Sequence, residues 1–214
     1  VGAARLGLKT GILTAVGEDP VGDFVLRFLS DEGVETSFTP RKPGRRTSAV
    51  LLGIEPPDRF PLVFYRDNCA DIVLDIQDVE VSPMDDTACL LVSGTGLSAE
   101  PSRSATLFAI QVARNAGAEV VLDLDFRADQ WADPLDFGRI VREALPHLDL
   151  VIGTEEEVKA VLLDTQASIS IEHSQISDPQ IEGDLDSAVQ AILESGPSAL
   201  VLKRGASGSS VYTP

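Results

Sequence analysis

The sequence predicts an α/β fold: a mostly parallel sheet layered with helices, carrying a small antiparallel β piece. Three observations lead there. Short apolar runs alternate with amphipathic stretches of helical period over most of the 214 residues. The apolar runs end in glycine or in clustered polar residues, as strands do at the carboxyl edge of an open α/β sheet. One segment, 34–66, shows no helical period and holds two strand-like runs joined by a Pro-rich turn.

The elements follow in order. Lys9–Val16 reads as a short strand ended by Gly17. Asp19–Glu32 reads as a helix, with Val21, Phe24, Val25 and Phe28 at helical spacing and Gly33 as its stop. Pro40, Pro43 and Gly44 interrupt what comes next; Thr47–Gly53 and Leu62–Arg66 then form a hairpin around Pro56-Pro57. Cys89–Ser93 is a strand closed by Gly94, and Pro101–Ala116 is a helix followed by Gly117. Glu119–Asp123 is a strand, Phe137–Leu145 a helix and Leu148–Ile152 a strand. Thr154 caps a helix running to Leu163, with acidic residues in its first turn where the helix dipole favours them. Thr165–Glu182 is polar and weakly periodic and reads as a long surface loop. Asp184–Ser195 is a helix and Ala199–Lys203 a strand. The organisation expected is an α/β core beginning over 1–33, a β lid over 34–66, and the core resumed over 67–214.

Composition narrows the function. With 34 acidic against 17 basic residues the net charge is −17, a field that repels nucleic acid and anionic membranes. No apolar run approaches the roughly 18 residues of a membrane span, and Val1–Gly7 lacks the apolar core of a signal peptide, so a cytoplasmic protein is expected. Cys69 and Cys89 make neither a disulfide framework nor a zinc site. His147 and His173 are isolated and read as structural or exposed. There is no Gly-x-x-x-x-Gly-Lys-Ser/Thr loop, which excludes a Walker-type nucleotide site.

The residues after the strands carry the chemistry. They are Gly17-Glu18-Asp19-Pro20-Val21-Gly22, Gly94-Thr95-Gly96, Asp123-Leu124-Asp125-Phe126-Arg127, Gly153-Thr154-Glu155-Glu156-Glu157 and Lys203-Arg204-Gly205-Ala206-Ser207-Gly208. In this order they resemble the ribokinase-like (PfkB) family of carbohydrate kinases. Gly17-x-Asp19-x-x-Gly22 matches the family's Gly-x-Asp-x-x-Gly turn. Asp123-x-Asp125-x-Arg127, with Trp131 beyond, matches its Asp-x-Asn-x-Arg run with Asp125 for Asn. The family's Asn-x-x-Glu is matched at Gly153 to Glu156, and its Thr-x-Gly-x-x-Gly at Lys203-x-Gly205-x-x-Gly208. Tyr65–Asp71, Gly94–Ser98, Ile152–Glu157 and Leu202–Gly208 are further similar to the branch that phosphorylates 5-dehydro-2-deoxygluconate.

The resemblance implies a three-layer αβα fold with a β lid, ATP and Mg²⁺ as cofactors, and a small-molecule sugar acid phosphorylated on a primary hydroxyl. Kinases of 2-keto-3-deoxygluconate or fructose, and a non-catalytic ligand-binding relative, are the alternatives. It implies that Arg66 reaches the sugar from the lid and that Arg127 and Asp125 meet it from the core. A guanidinium fork suits the carboxylate of such a substrate. Lys203, Gly205 and Gly208 would line the ATP side, and Glu156 would organise Mg²⁺ through water. From the residues alone other readings stay open. Arg66 can be a solvated lid arginine, Arg127 can pair with Asp123 or Asp125, and 203–208 can be a turn before Ser209–Tyr212. Arg45 and Arg46 read as turn residues. The family's base, the last Asp of Asp-Thr-x-Gly-Ala-Gly-Asp, has no counterpart in these 214 residues. The chain is therefore expected to be part of a longer enzyme, with that Asp beyond Pro214 and a first strand before Val1. Val50, Leu52, Ile54, Leu62 and Phe64 make the lid apolar enough to expect a homodimer through it.

Overall fold

The structure, a computed structural model, describes residues 1–56, 62–163, 169–170 and 180–214. Two compact units divide the chain: 1–83 with 100–105, and 84–99 with 106–214. No helix among the described residues is long and apolar enough to cross a membrane.

The first unit runs α1 (Gly2–Arg5), β1 (Thr10–Gly11), β2 (Val16–Gly17), α2 (Pro20–Asp31), β3 (Val34–Glu35), β4 (Arg41–Lys42), β5 (Ala49–Leu52), β6 (Leu62–Tyr65) and α3 (Ile76–Glu80). β1 pairs in parallel with β3, and β2 with β4. The strand expected over Lys9–Val16 is thus two short strands. The segment they pair with turns between the two pairings, the Thr39 N–H donating to Thr36 O at 3.0 Å, and the register shifts by one residue from Thr10 opposite Val34 to Val16 opposite Arg41. The expected hairpin forms: β5 and β6 are antiparallel, from Ala49 opposite Tyr65 to Leu52 opposite Leu62. Of its turn, Pro57 lies outside the described residues.

The Gly17-x-Asp19-x-x-Gly22 run forms a tie between α2 and the start of the hairpin. Asp19 is the N-cap of α2; its Oδ1 accepts from the Gly22 N–H at 2.8 Å, and its Oδ2 accepts from the Thr47 N–H at 2.7 Å. Pro20 follows at the first helical position, where a missing N–H costs nothing. The Gly17 N–H donates back to Thr47 Oγ1 at 2.9 Å. Both glycines are required by crowding: a Cβ at 17 would lie 2.5 Å from Arg45 O, and one at 22 would lie 2.7 Å from Gly17 O. Hydrogen bonds from Thr47 and Gly22 hold the Asp19 carboxyl below its ordinary pKa.

The second unit holds β7 (Cys89–Ser93), α4 (Ser102–Asn115, from residue 106 onward), β8 (Glu119–Asp123), α5 (Asp136–Ala144), β9 (Leu150–Thr154), α6 (Glu155–Ala160), β10 (Ile169–Ser170), β11 (Gln180–Ile181), α7 (Leu185–Glu194), β12 (Ala199–Lys203) and β13 (Ser209–Tyr212). Its sheet has the order β13-β12-β9-β8-β7, parallel throughout except for β13, which folds back antiparallel on β12. This is the mostly parallel sheet the alternation predicts. β9 starts at Leu150 rather than Leu148, because Leu145–His147 close a 3₁₀ turn ahead of it. Within the expected loop over Thr165–Glu182, β10 and β11 pair antiparallel. Residues 164–168 and 171–179, with His173, lie outside the described residues.

Period-2 alternation supplies the core. Val120 and Leu122 of β8, Val151 of β9, and Leu200 and Leu202 of β12 are all buried. Ile110 and Ala113 of α4, Ile140 and Val141 of α5, Val158 of α6 and Ile192 of α7 are buried as well. Beyond β8, the ring of Phe137 sits 4.5 Å from that of Phe126 and 5.4 Å, edge-on, from that of Trp131.

Replacing Asp19 tests the tie. Asp19→Ala is expected to lower unfolding stability in urea by about 0.5–2 kcal/mol, the usual loss for an N-cap. The lowered folded pKa fixes the sign with pH: the carboxylate's contribution is present above the unfolded value of about 3.9 and is lost as pH falls through the folded value. The gap between wild type and Asp19→Ala should therefore be widest near neutrality and close on acidification. A gap independent of pH would contradict this account.

Candidate active site

Strand register in the second unit brings the functional residues to one edge. Ser93 of β7 lies level with Asp123 of β8, Asp123 with Ile152 of β9, and Thr154 with Lys203 of β12. All four parallel strands therefore end at the same side, and the residues after them share it.

At the β8–β9–β12 end, Lys203 Nζ donates to Asp123 Oδ1 at 2.9 Å and lies 3.4 Å from Glu157 Oε2. Burial works to lower the Lys203 pKa, but the hydrogen bond to Asp123 and the charge of Glu157 outweigh it and leave the pKa raised. The ammonium stays charged at any physiological pH. Glu157 is almost buried and is oriented by a capping box: its Oε2 accepts from the Thr154 N–H at 2.8 Å, while the Glu157 N–H donates to Thr154 Oγ1 at 3.3 Å.

At the β7–β8 end, Ser93 Oγ donates to Asp125 Oδ2 at 2.9 Å and lies 2.8 Å from Thr95 Oγ1. Arg127 converges on the other oxygen of Asp125, Nε at 2.9 Å and the NH2 nitrogen at 2.8 Å. Of the two pairings left open for Arg127, the structure has Asp125; Asp123 is taken by Lys203. Asp125 has φ +37°, a left-handed conformation that Asn and Asp tolerate better than other non-glycine residues. The carbonyl before it explains a glycine, since a Cβ on Gly94 would lie 2.0 Å from Leu124 O. The fully buried Leu124 side chain explains Gly153: a Cβ there would meet Leu124 Cδ1 at 2.7 Å. Asn would not fit at 153 without displacing that leucine.

The three glutamates after β9 separate. Glu155 pairs with Lys159 at 2.8 Å. Glu156 Oε2 accepts from the Ile181 N–H at 2.7 Å, and its Oε1 lies 3.3 Å from Lys159 Nζ. Glu157 alone of the three meets Lys203, whose ammonium also binds Asp123. Thr154 and Glu157 stand in the i, i+3 relation of a capping box, whereas the sequence match uses Gly153 and Glu156. The Thr-x-x-Glu capping-box spacing is the signal that identifies Glu157.

The segment after Lys203 is both a connection and an open backbone loop. It joins β12 to β13, with the Arg204 N–H donating to Gly208 O at 2.8 Å. Gly205 and Gly208 have φ +54° and +84°, and nothing lies within 4 Å of a Cβ built on either. They are glycines for backbone conformation, and they leave their peptide groups approachable.

Arg66, in the other compact unit, follows β6 and ion-pairs with Asp71; the Oδ1 of Asp71 is buried without a hydrogen-bond partner. Arg45 donates to Asn68 Oδ1 at 2.8 Å; Arg46, expected in a turn, instead forms a parallel β-bridge with Cys69, its N–H donating to Asn68 O and its carbonyl accepting from the Ala70 N–H. His147 is exposed, Cys69 is buried and Cys89 exposed, and neither cysteine is in a disulfide.

Among the described residues, no three Asp, Glu, His or Cys side chains converge as a metal cage would require. The donor set at this edge, carboxylates of Asp123 and Glu157 beside an ammonium, suits a cation that keeps its waters and is held jointly with phosphate. Mg²⁺ brought with a nucleotide fits that description.

Known proteins resemble this chain along its whole length. Two curated relatives, both named 5-dehydro-2-deoxygluconokinase, come from Geobacillus kaustophilus and Geobacillus thermodenitrificans. The first is 37% identical over 158 residues, covering 73% of this chain and 47% of the relative. The second is 31% identical over 214 residues, all of this chain and 59% of the relative. The chain thus spans about half to three fifths of their length. Among solved structures, the fructokinase of Vibrio cholerae O395 in its fructose, ADP and calcium ion bound form superposes with a TM-score of 0.77 at 28% identity, covering 99% of this chain and 62% of that one. A PfkB protein from Polaromonas sp. JS666 shares the fold, with a TM-score of 0.80 at 21% identity over 99% of this chain and 66% of that one. The fold is ribokinase-like, the profile of the pfkB family carbohydrate kinases matches residues 1–214, and the chain belongs to that family.

Proposed function

We propose that this chain forms the sugar- and nucleotide-binding part of an ATP-dependent kinase that phosphorylates a primary hydroxyl of an acidic keto-sugar, 5-dehydro-2-deoxygluconate. The observation that carries it is the single sheet edge at which Asp123, Asp125, Arg127, Glu157 and Lys203 meet. The names of the relatives support the substrate. So does Arg127: its guanidinium, oriented by Asp125 and partly exposed, keeps N–H groups with which to fork a substrate carboxylate. Asp125 and Ser93, whose hydroxyl proton goes to Asp125, accept from the sugar hydroxyls.

In this reading the Gly205–Gly208 backbone approaches the nucleotide phosphates and Lys203 offsets their charge. Glu157, rather than Glu156, organises Mg²⁺ through water, because both Glu156 oxygens are engaged by Ile181 and Lys159. Mg²⁺, when bound, would supply neutralisation of phosphate charge there. The sugar oxygen bonds to the γ-phosphorus as the bond to the ADP oxygen breaks, and the hydroxyl proton passes to a carboxylate. The family resemblance gives that role to the last Asp of Gly-Ala-Gly-Asp, a motif with no counterpart in these 214 residues. The hairpin exposes Val50, Leu52 and Ile54 at 47%, 53% and 70%, and we propose that a second copy covers it.

Three measurements test this. The gene product carrying this sequence should consume ATP with 5-dehydro-2-deoxygluconate and far less with 2-keto-3-deoxygluconate, fructose or ribose. Preference for a neutral sugar would remove the role given to Arg127, and a folded protein inert on all four would favour a non-catalytic binding protein. Glu157→Gln should raise the Mg²⁺ concentration for half-maximal rate by roughly 10- to 100-fold, while Glu156→Gln leaves it unchanged; the reverse pattern would restore Glu156 to the role. In sedimentation the wild type should run as a dimer and Leu52→Asp as a monomer; a monomeric wild type would refute assembly through the lid.

A further inference from the structure

Lys203 stands apart from the other cations at this edge because it touches two carboxylates from two other elements. Its ammonium lies 2.9 Å from Asp123 Oδ1 at the end of β8 and 3.4 Å from Glu157 Oε2 in the first turn of α6. Glu157 is the more deeply placed of the two, its side chain 10% exposed against 39% for Asp123 and for Lys203. Two negative charges brought to one point in a half-buried site repel strongly unless a cation stands between them. In a chain of net charge −17 no general field of positive charge relieves that repulsion. The wider family's motif matched at this position carries an uncharged Thr where this chain has Lys203. It also sits at the last residue of β12, immediately before the open Gly205–Gly208 backbone.

We infer that Lys203 is the resident cation of this edge: its ammonium holds Asp123 and Glu157 in position in the empty protein and keeps a free divalent cation from settling between them, so that the metal enters only with nucleotide. Lys203 is in this sense a positioning residue, acting through Glu157. A flexible, partly exposed stem lets the same ammonium turn toward a phosphate when one arrives. The purpose rests on the nucleotide-site reading above, but the arrangement itself does not, and it is tested without sugar, ATP or turnover.

The experiment is heat unfolding of the gene product in EDTA and in millimolar Mg²⁺, with Mg²⁺ titration calorimetry, on wild type, Lys203→Met, Lys203→Arg and the double variant Lys203→Met/Glu157→Gln. Wild type should unfold at the same temperature with and without Mg²⁺ and show no binding heat. Lys203→Met should unfold lower in EDTA, by roughly 2–4 °C for each kcal/mol lost. It should regain that loss in Mg²⁺ and acquire a binding isotherm. Lys203→Arg should behave as wild type. The double variant, relieved of one carboxylate charge, should recover in EDTA and gain nothing from Mg²⁺. If Lys203→Met does not fold in EDTA, folding of the double variant supports the inference, and failure of both means that Lys203 acts through packing and overturns it. Equal stability of Lys203→Met and wild type in EDTA, no rescue by Mg²⁺, or binding of free Mg²⁺ by wild type would each overturn it too. A failure here leaves the kinase reading standing, and an absence of turnover leaves this inference standing.

Discussion

The parallel register of β7, β8, β9 and β12 is the constraint from which the candidate site follows. Each strand ends at the same edge because its neighbours' hydrogen bonds allow no other alignment that keeps Val120, Leu122, Val151, Leu200 and Leu202 in the core. Slipping any strand by one residue would turn its buried face outward. With the register set, Lys203 comes level with Thr154, and the capping box of α6 brings Glu157 to it. A contact between residues 80 positions apart in sequence is thus a consequence of sheet geometry.

Close backbone approach is the second theme. Gly94 and Gly153 both make room for Leu124, the first for its carbonyl and the second for its side chain. Gly17 and Gly22 make room for the chain passing at Arg45 to Thr47. These glycines serve packing against a neighbour, whereas Gly205 and Gly208 serve a turn conformation with open space around them. The departure from the family pattern at 125 becomes intelligible in the same terms. Asp125 keeps the left-handed tolerance of Asn and adds a charge that orients Arg127, and Gly153 accommodates a buried leucine.

Electrostatics at this edge are local. The chain is strongly acidic, yet Arg127 and Lys203 are each set against a carboxylate within hydrogen-bonding distance. The pairing fixes the direction of each cation while leaving it partly exposed, which is what an anionic substrate or a phosphate requires of it. Arg66 follows the same pattern with Asp71 in the other unit.

Much of this was legible in the sequence, because hydrophobic period and terminal signals are local properties. Short apolar runs located β7, β8 and β12 to the residue. Helical apolar spacing located α2 and α7 to within a residue at each end, and the turn between two apolar runs located the hairpin. The ordered glycine and polar clusters after the strands identified the family and the edge. Other features waited on the tertiary structure. Lys9–Val16 splits because the segment it pairs with turns at Thr36–Thr39 and shifts the register by one residue, which no pattern within Lys9–Val16 reveals. Pairing of 169–170 with 180–181 depends on contacts across the chain. Three consecutive glutamates are indistinguishable by composition, yet successive side chains on a helix point about 100° apart. Which one faces Lys203 is decided by where α6 begins against β12. The sequence by itself determined the elements, the family and the residue types at the strand ends. The tertiary structure decided which charges meet, because a meeting of side chains from distant strands is set by register and packing.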